Sequence, residues 1–284
     1  MMSSRERMSK TFLSRLAMLE ILDAAGPLTI SELAHRSGLD VAVVSRTVAA
    51  CEGDGWLTRA HGKITIGPRT TLLGHSGPFA EVIARAAPLV HAVAGVTGLL
   101  THAYSLVGTS SVLIAAGPGR HPGPPPGLAA RAPLHATAAG HAIAVQLDPG
   151  RLGALLPPEP YPDAPEVTAA MTRTAAGPIF TPAPRATTAA VRPPLPRSRD
   201  ELQARLDLVR SDGFAADPAA LDPATACIAV PWPQPGFPSA IACLAPPAII
   251  TASTALARRA LALAAQPGST PNQVITGAAD AIAR

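Results

Sequence analysis

Apolar positions in the first quarter of the chain recur at two different periods. Over residues 9–24, Phe12, Leu16, Leu19 and Leu22 fall three or four apart, which predicts an amphipathic helix. Thr29, with Glu32 three residues on, makes a capping box for a second helix whose buried side is Ile30, Leu33 and Ala34. Ser37-Gly38-Leu39 turns the chain, and Asp40 caps a third helix. On that helix Val41, Val44, Val48 and Cys51 share the inward side. Ala42, Arg46 and Ala49 take the opposite side, flanked by Val43, Ser45 and Ala50. Residues 56–59 and 63–66 then read as short strands joined by a tight turn at His61-Gly62. Two helices across a glycine turn, followed by a hairpin, have the order of a winged helix-turn-helix, which sets one helix into a DNA groove.

After the chain-turning cluster Gly74-His75-Ser76-Gly77-Pro78, residues 79–96 place Val82, Ile83, Ala86, Leu89, Val90 and Val93 on one side of a connecting helix, closed by Gly98. Residues 99–107 and 111–116 read as strands paired about Gly108. A Pro/Gly-rich loop follows over 117–127, then helices over 136–147 and 149–156. Residues 157–197 hold eleven prolines in forty-one positions, too many for a regular helix or central strand. They are read as a surface excursion, in part disordered, with Arg173, Arg185, Arg192 and Arg197 in a solvated linker. Ser198 and Glu201 open a helix to about residue 211 with Leu202, Leu206 and Val209 inward. Residues 227–232 and 239–244 are strands, and 251–265 is a closing helix with Leu256, Ala260 and Leu263 inward; the tail beyond 267 is weakly specified. Strands and helices alternating irregularly give an α+β chain. The expected domains are 1–76, a linker helix at 77–97, and 98–284 with a Pro/Ala-rich insertion at 157–197.

Composition adds little to this pattern. The apolar 48% is mostly Ala, Val and Leu, aromatics are 3%, and Arg far outnumbers Lys. Residues 1–76 carry nine Lys/Arg against seven Asp/Glu, or +2, and the remainder fourteen against twelve, again +2. With no polybasic footprint, DNA binding must rest on local placement and on two copies acting together. Cys51, Cys227 and Cys243 form no CxxC pair, which points to buried thiols and a cytoplasmic location. Glu20 and Asp23 break the first apolar run, so it is a helix and not a secretion signal. His91, Gly95, His102 and Tyr104 break the run over 88–116, and no membrane partner is expected. Nothing reads as a nucleophile elbow, a P-loop or a dinucleotide fingerprint, and His135 and His141, six apart, do not share a metal. No catalytic residue, cofactor or metal is expected.

Three segments resemble the IclR-type bacterial transcription regulators. LTISELAHRSGL with GWLTRAHGKITIGPRTTLLG is similar to their DNA-binding half, APLHATAAGHAIA over 132–144 to the signature of their effector domain, and the run over 197–232 to the helix, acidic turn and strand beyond it. The resemblance implies a winged helix-turn-helix joined by a linker helix to a GAF-like domain that binds a small-molecule effector. It also implies homodimers or tetramers on paired sites in a double-stranded DNA operator, as two-fold recognition requires. The family's recognition helix begins with Pro-Lys-Ser-Thr-like residues where this chain has Asp40-Val41-Ala42-Val43. Arg46 is then the main candidate for a base or phosphate contact, with Ser45 and Thr47 secondary and Arg36, Arg59, His61 and Lys63 on the DNA backbone. Ala42 and Val43 are left to thymine methyls, so recognition is expected to be weak or narrow.

In the effector domain the resemblance carries over to Leu134, His135, Ala136, Thr137, Ala138 and Ala139, where a helix start offers free amides. It also reaches Asp217 in the acidic turn, Cys227 on a strand, and Ala242 and Leu244, which stand where the family has small polar residues. His141 replaces a family lysine. These changes imply a less polar pocket and an apolar or lactone-like effector. Two other readings are kept: the scaffold co-opted as a metabolite-converting enzyme, with His135, Asp217 or Tyr104 as acid or base, or a metabolite-sequestering protein.

Overall fold

The helix-turn-helix pattern folds as its caps direct. A computed structural model describes residues 15–23, 25–74, 76–120, 131–167, 194–217 and 224–282. Helix α1 (15–23) brings Met18, Ile21 and Leu22 to a small core. Helix α2 (Ile30–Ser37) starts in a full capping box: Thr29 Oγ1 accepts the Glu32 amide at 3.2 Å, and Glu32 accepts the Thr29 amide at 2.8 Å. These bonds to the carboxylate hold the Glu32 pKa below its ordinary value. Gly38 ends α2 at φ 67°, the left-handed geometry that a side chain resists. Helix α3 (Val41–Gly53) starts at Asp40, whose carboxylate accepts the Ala42 amide at 2.7 Å. Val44 and Val48 are fully buried against Leu33, Leu57 and Ile64; each side chain of this size contributes about 1.5–3 kcal/mol by leaving water.

Strands β1 (Leu57–Ala60) and β2 (Lys63–Ile66) pair antiparallel through His61-Gly62, both at positive φ, and Leu28 bridges to Ile64. A seven-residue helix, α4 (Pro68–Gly74), follows, an element not expected from the sequence.

The chain divides after Ala80 into this unit and a second one. In the second, α5 (Pro78–Thr97) buries Val82, Ala86, Leu89, Val90 and Val93. It is long and apolar enough to cross a membrane, but these residues are spent on the protein core. A six-stranded antiparallel sheet runs β5-β4-β3-β8-β7-β6, from β3 (Leu100–Val107), β4 (Ser110–Gly117), β5 (Arg131–Pro133), β6 (Ala215–Asp217), β7 (Ala226–Pro231) and β8 (Ser239–Ala245). Helix α6 (Ala138–Ala144) and α9 (Arg199–Asp212) cover one face, with α7 (Pro149–Leu155) beside them; residues 164–167 are helical (α8), and Val167 packs with Ala136 and Leu195. Helix α10 (Pro247–Ala264) packs on β7 and β8.

Several expectations are corrected. Val41, read as inward, is 51% exposed because it lies in the first turn of α3, beyond the reach of the core. Ile83 is 37% exposed while its neighbour Val82 is buried. The tail forms α11 (Pro271–Ile282), which packs on α10 with Val274 and Ala278 fully buried. In α10, Ala257 and Leu261 are buried beside Ala260, whereas Leu256 and Leu263 are half-buried. The ends of the proline-rich segment are not a surface excursion. Tyr161, Val167 and Leu195 are buried, the Tyr161 amide donates to the Arg197 carbonyl at 2.8 Å, and Arg197 pairs with Asp163 at 3.3 Å. Arg173, Arg185 and Arg192 lie outside the described residues.

Gly140, one turn into α6, faces the preceding chain so closely that a Cβ would fall against the Leu134 carbonyl. Its amide also donates to Thr137 Oγ1 at 2.9 Å, capping the helix. Gly140→Ala is expected to destabilise the second unit by about 1–3 kcal/mol through overpacking. Urea unfolding followed at buried Trp232 measures it; an unchanged midpoint would mean that the 134–140 turn yields freely.

Candidate functional site

On the first unit, α3 presents Val41, Ala42, Val43, Arg46, Ala49 and Ala50 to solvent, with Ser45 and Thr47 half-buried at the edges. Val43 is 39% exposed, so the leading turn is an aliphatic surface with Arg46 one turn further on. Arg36 is exposed in the last turn of α2, and His61 and Lys63 are exposed on the hairpin. Arg59, assigned to the DNA backbone, is already engaged: its Nη2 and Nε donate to the two Glu52 carboxylate oxygens at 3.2 and 3.3 Å. This pair ties β1 to α3 and offsets one positive charge on the hairpin. An exposed pair of this kind contributes about 0.2–1 kcal/mol to stability. Glu52→Gln is therefore expected to leave the fold intact and to raise non-specific DNA affinity several-fold at low salt. Fluorescence anisotropy at two salt concentrations tests it; no change at low salt would show that Arg59 does not face phosphate.

On the second unit, the residues carried over from the resemblance fall into three places. Leu134, Ala138, Ala139 and Ala242 are buried together in the core under α6, with Cys227 and Leu244 packed against them. Ala136 belongs to a separate cluster with Val167 and Leu195. Thr137 is the cap of α6. Asp217 ends strand β6 rather than lying in a turn, opposite Cys227, which in turn lies opposite Leu244. The strand register thus sets Asp217, Cys227 and Leu244 in a row on the sheet face that α6 covers.

That face also carries Tyr104, named from the sequence only as an acid or base in the enzyme reading, and His102, which was not assigned to the site. His102 and Tyr104 stand on β3 opposite Ala242 and Ala240, and His102 Nδ1 lies 3.0 Å from Tyr104 Oη. Burial pushes the His102 pKa down to about 4 and raises the Tyr104 phenol, so both are neutral at pH 7. His102 Nε2 has no hydrogen-bond partner among the described residues, a situation that costs about 1–3 kcal/mol. The only signal in the sequence is a pair of polar rings two apart within an apolar strand.

His135 donates Nε2–H to the Pro162 carbonyl at 3.1 Å and lies against Tyr161 with the rings tilted by 44°, which leaves its buried Nδ1 unpaired among the described residues. Burial lowers its pKa. His141 donates Nε2–H to the His135 carbonyl at 2.9 Å, and burial holds its pKa at about 4. The two histidines therefore lock the turn before α6. Burial raises the Cys227 and Cys243 thiols, so neither is a ready thiolate.

Comparison with known proteins follows the same division. Residues 13–63 match the model of the MarR family. No curated protein matches the chain. Solved structures match it nearly end to end. An IclR transcriptional regulator from Alicyclobacillus acidocaldarius is 18% identical with a TM-score of 0.67, covering 95% of this chain and 98% of that one. An IclR homolog from Microbacterium hydrocarbonoxydans, complexed with 4-hydroxybenzoate, is 19% identical with a TM-score of 0.61, covering 94% and 99%. IclR from Thermotoga maritima is 16% identical with a TM-score of 0.58, covering 95% and 98%. The chain has the fold of the IclR-type transcriptional regulators, from the winged helix-turn-helix through the sheet of the second unit.

Proposed function

We propose that this chain is a ligand-responsive transcription regulator that binds a double-stranded DNA operator as a homodimer or tetramer in the cytoplasm and senses a hydrophobic small metabolite. The observation that carries the reading is the exposed face of α3, with Arg46 beyond an aliphatic first turn. A helix so presented, with a hairpin behind it, suits the major groove, where methyl groups meet thymine and a guanidinium meets guanine or phosphate. One such helix reads few base pairs, and pairing two copies multiplies affinity and specificity. The row Asp217, Cys227 and Leu244 and the turn at 134–139 form the proposed effector site; the sensing of a small molecule is supported by the IclR homolog from Microbacterium hydrocarbonoxydans, which is complexed with 4-hydroxybenzoate. The effector acts by binding two arrangements of the DNA-reading helices with different affinity.

A mobility-shift titration tests this, using DNA from the gene's own upstream and neighbouring intergenic regions at two salt concentrations. A sequence-selective shift that weakens steeply with salt is expected. A shift equal to that of random DNA would refute the operator-binding role.

A further inference from the structure

We propose that His102 is the polar anchor of the effector site, donating Nε2–H to the carbonyl oxygen of an uncharged ligand. The inference rests on reading the second unit as effector-binding and names the ligand class of that same site. His102 is fully buried, on the sheet face that holds Ala242, Leu244 and Cys227. Its cross-strand neighbours are Ala116 on β4 and Ala242 on β8, whose methyl groups offer the imidazole no hydrogen bond. The Tyr104 hydroxyl lies 3.0 Å from Nδ1, and when its O–H donates there the remaining ring proton is placed on Nε2. In that tautomer Nε2 is a donor held in place by a second residue, and it is buried and unpaired among the described residues.

A buried polar atom kept in this state is expected to meet a partner in a functional state of the protein. A neutral imidazole offers a hydrogen bond and no positive charge, and the low pKa of His102 keeps it neutral throughout the physiological range. A carboxylate brought against it would lose its hydration without a counter-ion, whereas an ester, lactone or ketone oxygen would lose little. The site therefore discriminates by charge.

The test uses the full chain with 15N-labelled histidine, titrated with γ-decalactone and separately with its ring-opened 4-hydroxydecanoate. The two probes share a carbon skeleton and differ in charge. Expected are a free-state spectrum with the His102 proton on Nε2, a shift of that resonance with the lactone, and at least tenfold weaker binding of the hydroxy acid. His102→Phe is expected to weaken lactone binding at least tenfold. His102→Gln, whose amide N–H reaches the position of Nε2, is expected to restore most of it and guards against a merely misfolded variant. Equal or tighter binding of the hydroxy acid, or a His102 resonance unmoved by the lactone up to its solubility limit, would overturn the proposal. Operator binding is measured without ligand, so an operator shift that persists while the lactone fails would reject this inference and leave the regulator reading standing.

Discussion

Between pH 7 and pH 5 the second unit is expected to lose about 4 kcal/mol of stability, with His102 and His141 as the main sources. Both are buried, and both have native pKa values of about 4 against an ordinary 6.5. A histidine whose native pKa is depressed binds protons more readily unfolded than folded. Stability is thus fully present above pH 6.5 and falls as the pH drops towards 4, because acid draws the chain to the unfolded state. Linkage gives about 2 kcal/mol for each residue at pH 5, and His135, shifted the same way, adds to the loss. Urea unfolding at pH 7, 6 and 5 measures the effect. Trp232 is buried in the second unit and Trp56 half-buried in the first, so single-tryptophan variants report each unit separately. The midpoint seen by Trp232 should move with pH well beyond that seen by Trp56, and His141→Gln should remove part of the dependence. A midpoint at Trp232 that is flat from pH 7 to 5 would show that these imidazoles are hydrated.

The same histidines show where the sequence stops being informative. Caps and periodicity act within a few residues, which is why Thr29 with Glu32, Asp40, Ser198 and the His61-Gly62 turn could be read directly. Strand register is a long-range property. That Asp217, Cys227 and Leu244 form a row across three strands follows only from strand pairings that join residues 10 and 17 positions apart. His102 was legible as an interruption of an apolar run, not as a residue of the site, because its alanine neighbours exist only once β3 lies between β4 and β8. Tertiary packing also decided the tail. Alanine-rich residues beyond 267 give a weak local signal, and α11 is held by the face of α10 that covers Val274 and Ala278. Arg59 was assigned by its position on the hairpin, but Glu52, seven residues earlier, competes for the guanidinium.

Arg46→Ala is expected to weaken operator binding strongly while leaving folding and ligand affinity unchanged. Arg46 is exposed on α3, opposite the buried Val44 and Val48, so truncating it removes no core contact. The turn before it is Val41-Ala42-Val43, which offers methyl groups and no charged or hydroxyl side chain to DNA. The proposed interface therefore concentrates its directed polar contacts on this one guanidinium. A good base contact contributes about 1–3 kcal/mol of discrimination, and a dimer loses it twice, about 2–6 kcal/mol in all. The pattern of the loss separates two roles. If Arg46 bonds a guanine edge, Arg46→Ala should relax the preference at one base pair in each half-site and leave the salt slope nearly unchanged. If it holds a phosphate, affinity should fall alike on operator and random DNA, with a shallower salt dependence. Val43→Ala should cost much less, and only on sites with thymine at the contacted step, because a lost methyl contact leaves no buried charge behind. Mobility shifts with the operator, its single-base variants and random DNA distinguish these outcomes. Unchanged operator affinity in Arg46→Ala would remove α3 from the interface and move the DNA-reading role to Arg36 and Lys63.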